Sequence, residues 1–338
     1  MEPRVSNIQE TEVGLKFRLE GVDVSVANGL RRAIVADIPC VVLRTSPYNE
    51  ELVQIHTNTT RLNNELIKQR LSCIPVHIKD TAFPASDYVV ELDVGNPGTE
   101  ITYVTTEDFK VRNLKTDTYL PEDEVKKIFP PDPITGDFID VARLRPKISD
   151  KIGGEALKLS CRLSIGKASE DSSFNVASTC SYAASQDNVA GSEAWKVKAS
   201  ELKQQGLNRD AIADAKADWN LLEARRIIKP RSFDFLLQTV GQFTNPELIV
   251  KACDTIIERL KGLQAAMQSD EFIEPTVGTM ANSFDIEIPG EGYTIGKLIE
   301  FGIYSAHYVG ESSSDKTVAY CGFRKPHPHV PQSTIRVA

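Results

Sequence analysis

Residues 25–39 read SVANGLRRAIVADIP, and the fold turns on what that stretch is. Val26, Leu30, Ala33 and Ile34 recur at i, i+4, i+7 and i+8, one apolar stripe of a helix, with Asn28, Arg31 and Arg32 lying off it. Ser25 carries an N-cap side chain, able to accept hydrogen bonds from the first free amides. Pro39 stops the helix. Upstream, Leu15, Phe17 and Leu19 alternate with Lys16, Arg18 and Glu20, the period of a half-buried strand, and downstream CVVLRT resumes as strand. A fainter copy of this plan begins with TIGKLIEFGI after the alternating run FDIEI and a Gly-containing turn. Thr294, read as the N-cap, stands where Ser25 stood, Lys297 where Asn28 stood, Ile299 where Leu30 stood and Ile303 where Ile34 stood. A half-domain with one bare apolar helix face cannot fold alone, and its simplest cover is a related half. The repeat therefore predicts a pseudo-dimer inside one chain.

Working outward, a second helix is predicted over Arg61 to Leu71, with Leu62, Leu66 and Ile67 inward and Arg61, Lys68 and Arg70 outward. From about Lys79 to Pro230, β-like runs such as DYVVELDV, EITYVTT, ALKLSCRLSI and FNVASTCSYA are separated by Pro, Gly and Asp clusters, which predicts a mostly-β domain. A polar, helix-prone stretch, 191–226, holds both tryptophans. At Arg231 the opening texture returns: Phe233, Phe235 and Leu237 share a strand face, and Asn245 is expected to cap a helix with Pro246 at its first position. Leu248, Ala252, Ile256, Leu260 and Leu263 follow at helical spacing. The expected class is α+β. Residues 1–80 plus 230–270 form one dimerisation half, 80–230 an inserted β-rich domain, 271–282 a linker and 283–338 the second half.

Composition narrows the function classes. The 338 residues are 41% hydrophobic and 25% charged, as in folded soluble proteins, and a net charge of −8 argues against a nucleic-acid clamp. The six cysteines contain no C-x-x-C and read as reduced thiols. No stretch reads as a signal peptide or membrane span, so an intracellular protein is expected. His327 and His329 lack a third or fourth metal ligand and read as part of an extended Pro-rich bend. GEGYTIG lacks the Lys-Ser/Thr of a P-loop. Glu122, Asp123 and Glu124 follow Pro121 and start a helix, where the dipole favours acids. No catalytic set, metal site or cofactor site is expected.

On these residues the chain resembles a known family. SVANGLRRAIVADIP, NELIKQRLSCIPV and FDFLLQTVGQFTNPELIVKACDTIIERL resemble the dimerisation domain of the alpha-type assembly subunit of multisubunit DNA-directed RNA polymerases, in its archaeal and eukaryotic form. IDVARLRPKISDKIGGEALKLSCRLSIGK resembles the inserted β domain of that subunit. FDIEIPGEGYTIGKLIEFGI with GFRKPHPHVPQSTIRV resembles its small L-type partner. Both in one chain resembles the fusion found in some large DNA viruses.

The resemblance implies a non-catalytic assembly platform that recruits the two largest polymerase subunits, with small accessory subunits as further partners and little or no direct nucleic-acid contact. It implies partner binding through Asn28, Arg31 and Arg32, with Arg61, Lys68 and Arg70 as weaker candidates for the same surface. Asn28 would satisfy backbone groups beside the arginines. Pairing within the chain would use Val26, Leu30, Ile34, Leu248, Ala252, Ile256 and Leu260 from one half and Ile295, Leu298, Ile299 and Ile303 from the other. A viral chain would work in virion and host cytoplasm, a cellular one in nucleus or nucleoid. Lys297 and Glu300 depart from the family's Asn and Arg, and the family's cysteine-rich metal insertion has no counterpart. In the family a long helix follows the last strand, so cover for the helix from Pro246 is expected from a continuation past Ala338 or from another surface. The rival readings are an enzyme with a cleft beside the β domain and a DNA-binding regulator, whose phosphate contacts would fall steeply with salt.

Overall fold

The computed structural model describes residues 2–149, 153–268, 270–276, 280–308 and 317–338. In chain order the first elements are strands β1 (Arg4–Thr11) and β2 (Gly14–Glu20), helix α1 (Val24–Ala36), strands β3 (Cys40–Leu43) and β4 (Val53–Asn58) and helix α2 (Asn64–Ser72). Then come β5 (Tyr88–Gly95), β6 (Thr102–Thr105), β7 (Lys110–Asn113), β8 (Thr118–Tyr119), helix α3 (Glu122–Ile128), β9 (Asp140–Leu144), β10 (Ala156–Gly166) and β11 (Ala177–Gln186). Helices α4 (Asn188–Gln204) and α5 (Arg209–Leu221), strand β12 (Ile228–Thr239) and helix α6 (Asn245–Ala266) follow. The chain closes with β13 (Ile273–Pro275), β14 (Phe284–Ile288), helix α7 (Tyr293–Ile303), β15 (Cys321–Arg324) and β16 (Ser333–Val337). The class is α+β, and no helix among the described residues is long and apolar enough to cross a membrane.

Two compact units divide these elements: Met1–Arg32 with Thr179–Gln238 and Ile256–Ala338, and Ala33–Ser178 with Thr239–Thr255. The first contains two four-stranded sheets. In one, of order β1-β2-β12-β11, Leu15, Phe17 and Leu19 stand opposite Leu237, Phe235 and Phe233, and the Phe17 and Phe235 rings stack at 4.9 Å. On the other face Arg18 forks onto Asp234 with hydrogen bonds of 2.6 and 3.1 Å. Gly14 is required where it stands: its φ is +131° and a Cβ there would lie 2.4 Å from the Leu237 carbonyl oxygen. The second sheet has the order β13-β14-β16-β15, and Asp285 and Arg336 face each other across β14 and β16 in a fork of 2.7 and 2.8 Å. Helices α4 and α5 begin at Asp187 and Asn208, whose side chains accept from amides of the first turn, and Trp195 and Trp219 meet at 5.9 Å.

In the second unit β10 is the hub of a six-stranded sheet, flanked by β5 on one side and by β3 and β4 on the other. Leu157, Leu159, Cys161 and Leu163 alternate inward, while Lys158 points out to pair with Asp93 at 2.6 Å. Ile67 and Leu71 of α2 and Val125 and Ile128 of α3 join this core. Strands β6 and β9 form a separate ladder.

Several local expectations are corrected. Asp23, not Ser25, caps α1: its carboxylate accepts from the Ser25 amide at 2.9 Å. Thr244, not Asn245, caps α6, with Glu247 reaching back to the Thr244 amide at 2.7 Å, while Asn245 accepts from the Thr239 amide at 2.9 Å. Gly292 precedes α7, so Thr294 lies in its first turn rather than at the cap. Leu66 is 45% exposed because α2 turns Ile67 and Leu71 inward instead. The stretch expected as a linker contributes β13, and its residues 277–279 lie outside the described residues, as do residues 150–152 of the β-domain resemblance. Strands β3 and β4, read with the opening half, hydrogen-bond to β10.

Candidate functional site

The opening helix and its fainter copy meet inside the first unit. Ser25 and Thr294 are each the second residue of their helices, α1 and α7, so the two stretches start in step. Arg32 donates from Nε to the Thr294 hydroxyl oxygen at 2.8 Å. One turn earlier on α1 stands Gly29, where an added Cβ would lie 3.3 and 3.4 Å from the two terminal carbons of Leu298. The missing side chain lets the Leu298 isobutyl group press on the α1 backbone, the close approach that small residues permit between helices. Arg31 is half-buried and donates from Nε to Asn28 Oδ1 at 3.0 Å. Asn28 therefore aims a guanidinium, rather than satisfying backbone groups.

Below this contact lies one apolar cluster. Leu263, Ile288, Ile295 and Ile335 are its buried members, and Ile256, Leu260, Leu298, Ile299 and Ile303 pack against it. Side chains of α6 and α7 expected to pair thus share a core. Of the other residues expected to pair, Ile34, Leu248 and Ala252 are buried, Leu30 is nearly so and Val26 is half-buried. Lys297 donates to Glu300 at 2.6 Å, and Glu300 also accepts from the Phe323 amide at 2.9 Å. The two departures from the family pattern therefore tie α7 to β15. Arg259 of α6 forks onto Glu291, just ahead of α7.

The remaining candidates lie in the second unit. Lys68 is held by Glu51 at 2.7 Å and Glu65 at 3.5 Å, which raises its pKa through the hydrogen bond to Glu51 even against partial burial. Its charge is satisfied inside the chain, a correction to its reading as a free outward cation. Arg70 is exposed and donates to the Asp140 carbonyl oxygen at 2.8 Å, and Arg61 is exposed in the loop before α2. These two border a groove that sequence reasoning missed, with Arg143 and Arg145 on its far side. Residues 61–70 and 140–145 are brought together by α2 and β9, and no sequence spacing announces that contact.

Burial pushes the Cys40 and Cys161 thiols up to about 12, so neither is a thiolate near neutrality. Cys180 is pushed up to about 11 by burial, with the Arg31 charge pulling the other way. His327 and His329 have ring centres 5.1 Å apart, and among the described residues no group of three His, Cys, Asp or Glu side chains is arranged to hold a metal ion.

No protein-family model matches the chain. It is 29% identical over 136 residues to the DNA-directed RNA polymerase subunit Rpo3 of Pyrococcus horikoshii, covering 39% of this chain and 46% of that protein. It is 32% identical over 98 residues to subunit RPAC1 of the DNA-directed RNA polymerases I and III of Bos taurus, covering 29% of this chain and 25% of that one. To subunit 3 of the DNA-directed RNA polymerases II, IV and V of Arabidopsis thaliana it is 41% identical over 61 residues, 18% of this chain and 17% of the relative. The matches span under half the length of these curated relatives. Over the part of its length that they match, the homologues of this chain are alpha-like subunits of DNA-directed RNA polymerases.

Proposed function

We propose that this chain is a non-catalytic assembly platform of a DNA-dependent RNA polymerase, in which two alpha-like halves pair within one polypeptide and together recruit the two largest subunits. Residues 1–80 and 230–270 make up the D-like half, 283–338 the L-like half, and 80–230 an inserted domain open to small accessory subunits. The observation that carries the reading is the α1–α7 contact, Arg32 on Thr294 beside Gly29 under Leu298, because it joins two stretches of related plan from opposite ends of the chain. Covalent linkage of the halves sets an effective concentration of roughly millimolar, so the platform assembles even where expression is low. Arg31, held by Asn28, is the side chain best placed to meet a partner's carboxylates, for which a planar fork with five donors is suited. Arg32 has a double task, since its Nε already serves the internal contact.

The test is the pair of variants Arg31→Glu and Arg31→Glu/Arg32→Glu, co-expressed with the two largest subunits from the same source. Arg31→Glu leaves the Arg32–Thr294 bond in place and is expected to fold as the parent does while losing capture. The double variant is expected to lose about 1 kcal/mol more from the broken hydrogen bond. Parental capture by both folded variants would remove the assigned role of this face.

A further inference from the structure

We propose that the groove between α2 and β9 binds an acidic polypeptide segment anchored by one apolar side chain. The groove encloses about 290 Å³ and has a floor of buried Ala142 and half-buried Leu62. Four arginines rim it, Arg61, Arg70, Arg143 and Arg145, against two acids, Asp140 and Glu155. In a chain of net charge −8 this is a local excess of positive charge. Three of the guanidiniums are held along one edge. Arg70 donates to the Asp140 carbonyl oxygen at 2.8 Å, Arg143 lies over the Tyr103 ring at 5.0 Å, and Arg145 is fixed by Glu155 through contacts of 2.5 and 2.6 Å. Burial pushes the Glu155 carboxyl up, but hydrogen bonds from the Arg145 side chain and amide outweigh it and leave the group below its ordinary value. Glu155 is therefore a fixed anion that orients Arg145. Arg61 makes no hydrogen bond or ion pair with another described residue and acts on Glu155 only through space.

Each guanidinium carries five N–H donors in a fork that matches carboxylates, so the rim retains donors for an incoming anion. The apolar floor distinguishes the occupant. A nucleic-acid backbone has nothing to place on Leu62 and Ala142, and the chain's overall charge repels it. A peptide with carboxylates on either side of one aliphatic or aromatic residue satisfies both features, with a central apolar anchor and charged flanks. The inference rests on the assembly reading for the source of the segment, another subunit of the same complex.

The experiment is fluorescence anisotropy of the full chain with a short fluorescein-labelled glutamate-rich peptide carrying one central leucine. A peptide with glycine for that leucine and a single-stranded oligonucleotide of matched charge run in parallel. The expected result is salt-sensitive saturable binding of the leucine peptide, weakened about tenfold by Arg61→Glu with Arg143→Glu, the scale of one lost charge-assisted contact. Arg61 has no internal partner, so Arg61→Glu alone keeps the fold and is expected to weaken binding in the same direction. Tighter binding of the oligonucleotide, equal binding of the glycine peptide, affinities unchanged in the variants, or no peptide binding at low salt would each overturn the proposal. Subunit capture is read separately. A groove that binds nothing leaves the platform standing, while peptide binding without capture sinks the platform alone.

Discussion

At Gly29 a missing side chain sets how closely two helices approach. An alanine there gains about 0.5–1 kcal/mol of helix propensity and must displace Leu298 by tenths of an ångström, so the two effects nearly cancel. Valine cannot be accommodated so cheaply. Gly29→Val is expected to destabilise the chain by about 1–3 kcal/mol in denaturant titration, the usual cost of overpacking, and an unchanged midpoint would contradict the packing of Leu298 on α1. The cysteines give a second residue-scale expectation. Cys40, Cys161 and Cys180 are buried with raised thiol pKa values, whereas Cys73 is exposed. A thiol reagent at neutral pH is therefore expected to modify Cys73 well ahead of those three in the folded chain, as read by mass spectrometry. At this scale the sequence was legible to within a residue or two. Ser25 and Asn245 are good N-cap types, but Asp23 and Thr244 are equally good and stand where the chain leaves its preceding strand. Arg31 was legible as an off-stripe cation, whereas the bond from Arg32 to Thr294 joins residues too distant for any local pattern to show.

The elements depend on ion pairs and on β10. At the start of α6 Glu247 accepts from Lys79 Nζ at 2.9 Å through both oxygens and from the Thr244 amide, and its carboxyl falls from 4.5 to about 2, chiefly through the Lys79 hydrogen bond. Because the folded value is the lower, the stabilisation is complete above 4.5 and is lost as pH falls toward about 2. Glu247→Gln should flatten that stretch of the acid unfolding curve, and an unaltered curve would show that the pair contributes nothing. Such an exposed pair is screened, so the change is expected to be small and to shrink with salt. Within the sheet, Leu159 is 1% exposed at the centre of β10, and Leu159→Ala is expected to cost about 2–5 kcal/mol. Strands with strong alternation, such as β2, β10 and β12, were legible. Strand β1 was not, because NIQET is polar along an exposed edge, and neither was β13, a three-residue strand visible only through its pairing with β14. The attachment of β3 and β4 to β10 was hidden for a different reason: Leu43 pairs with Leu163, and a ladder between such distant residues leaves no local trace.

At the scale of the whole molecule, α1 and α7 belong to one compact unit although their sequences lie near opposite ends of the chain. The shared cluster of Ile256, Leu260, Ile295 and Leu298 gives the halves an apolar reason to stay together, and the forks of Arg259 on Glu291 and Arg336 on Asp285 add charge-assisted bonds around it. A platform joined in this way needs no second copy of itself to present two unlike faces. Its complexes with larger subunits should persist in moderate salt, where phosphate-based binding would fall steeply. The most direct measurement is the mass of the complex formed on co-expression with the two largest polymerase subunits, determined across a size-exclusion peak. One copy of this chain with one of each large subunit is the expected result. Two copies, or no complex, would contradict a single-chain platform.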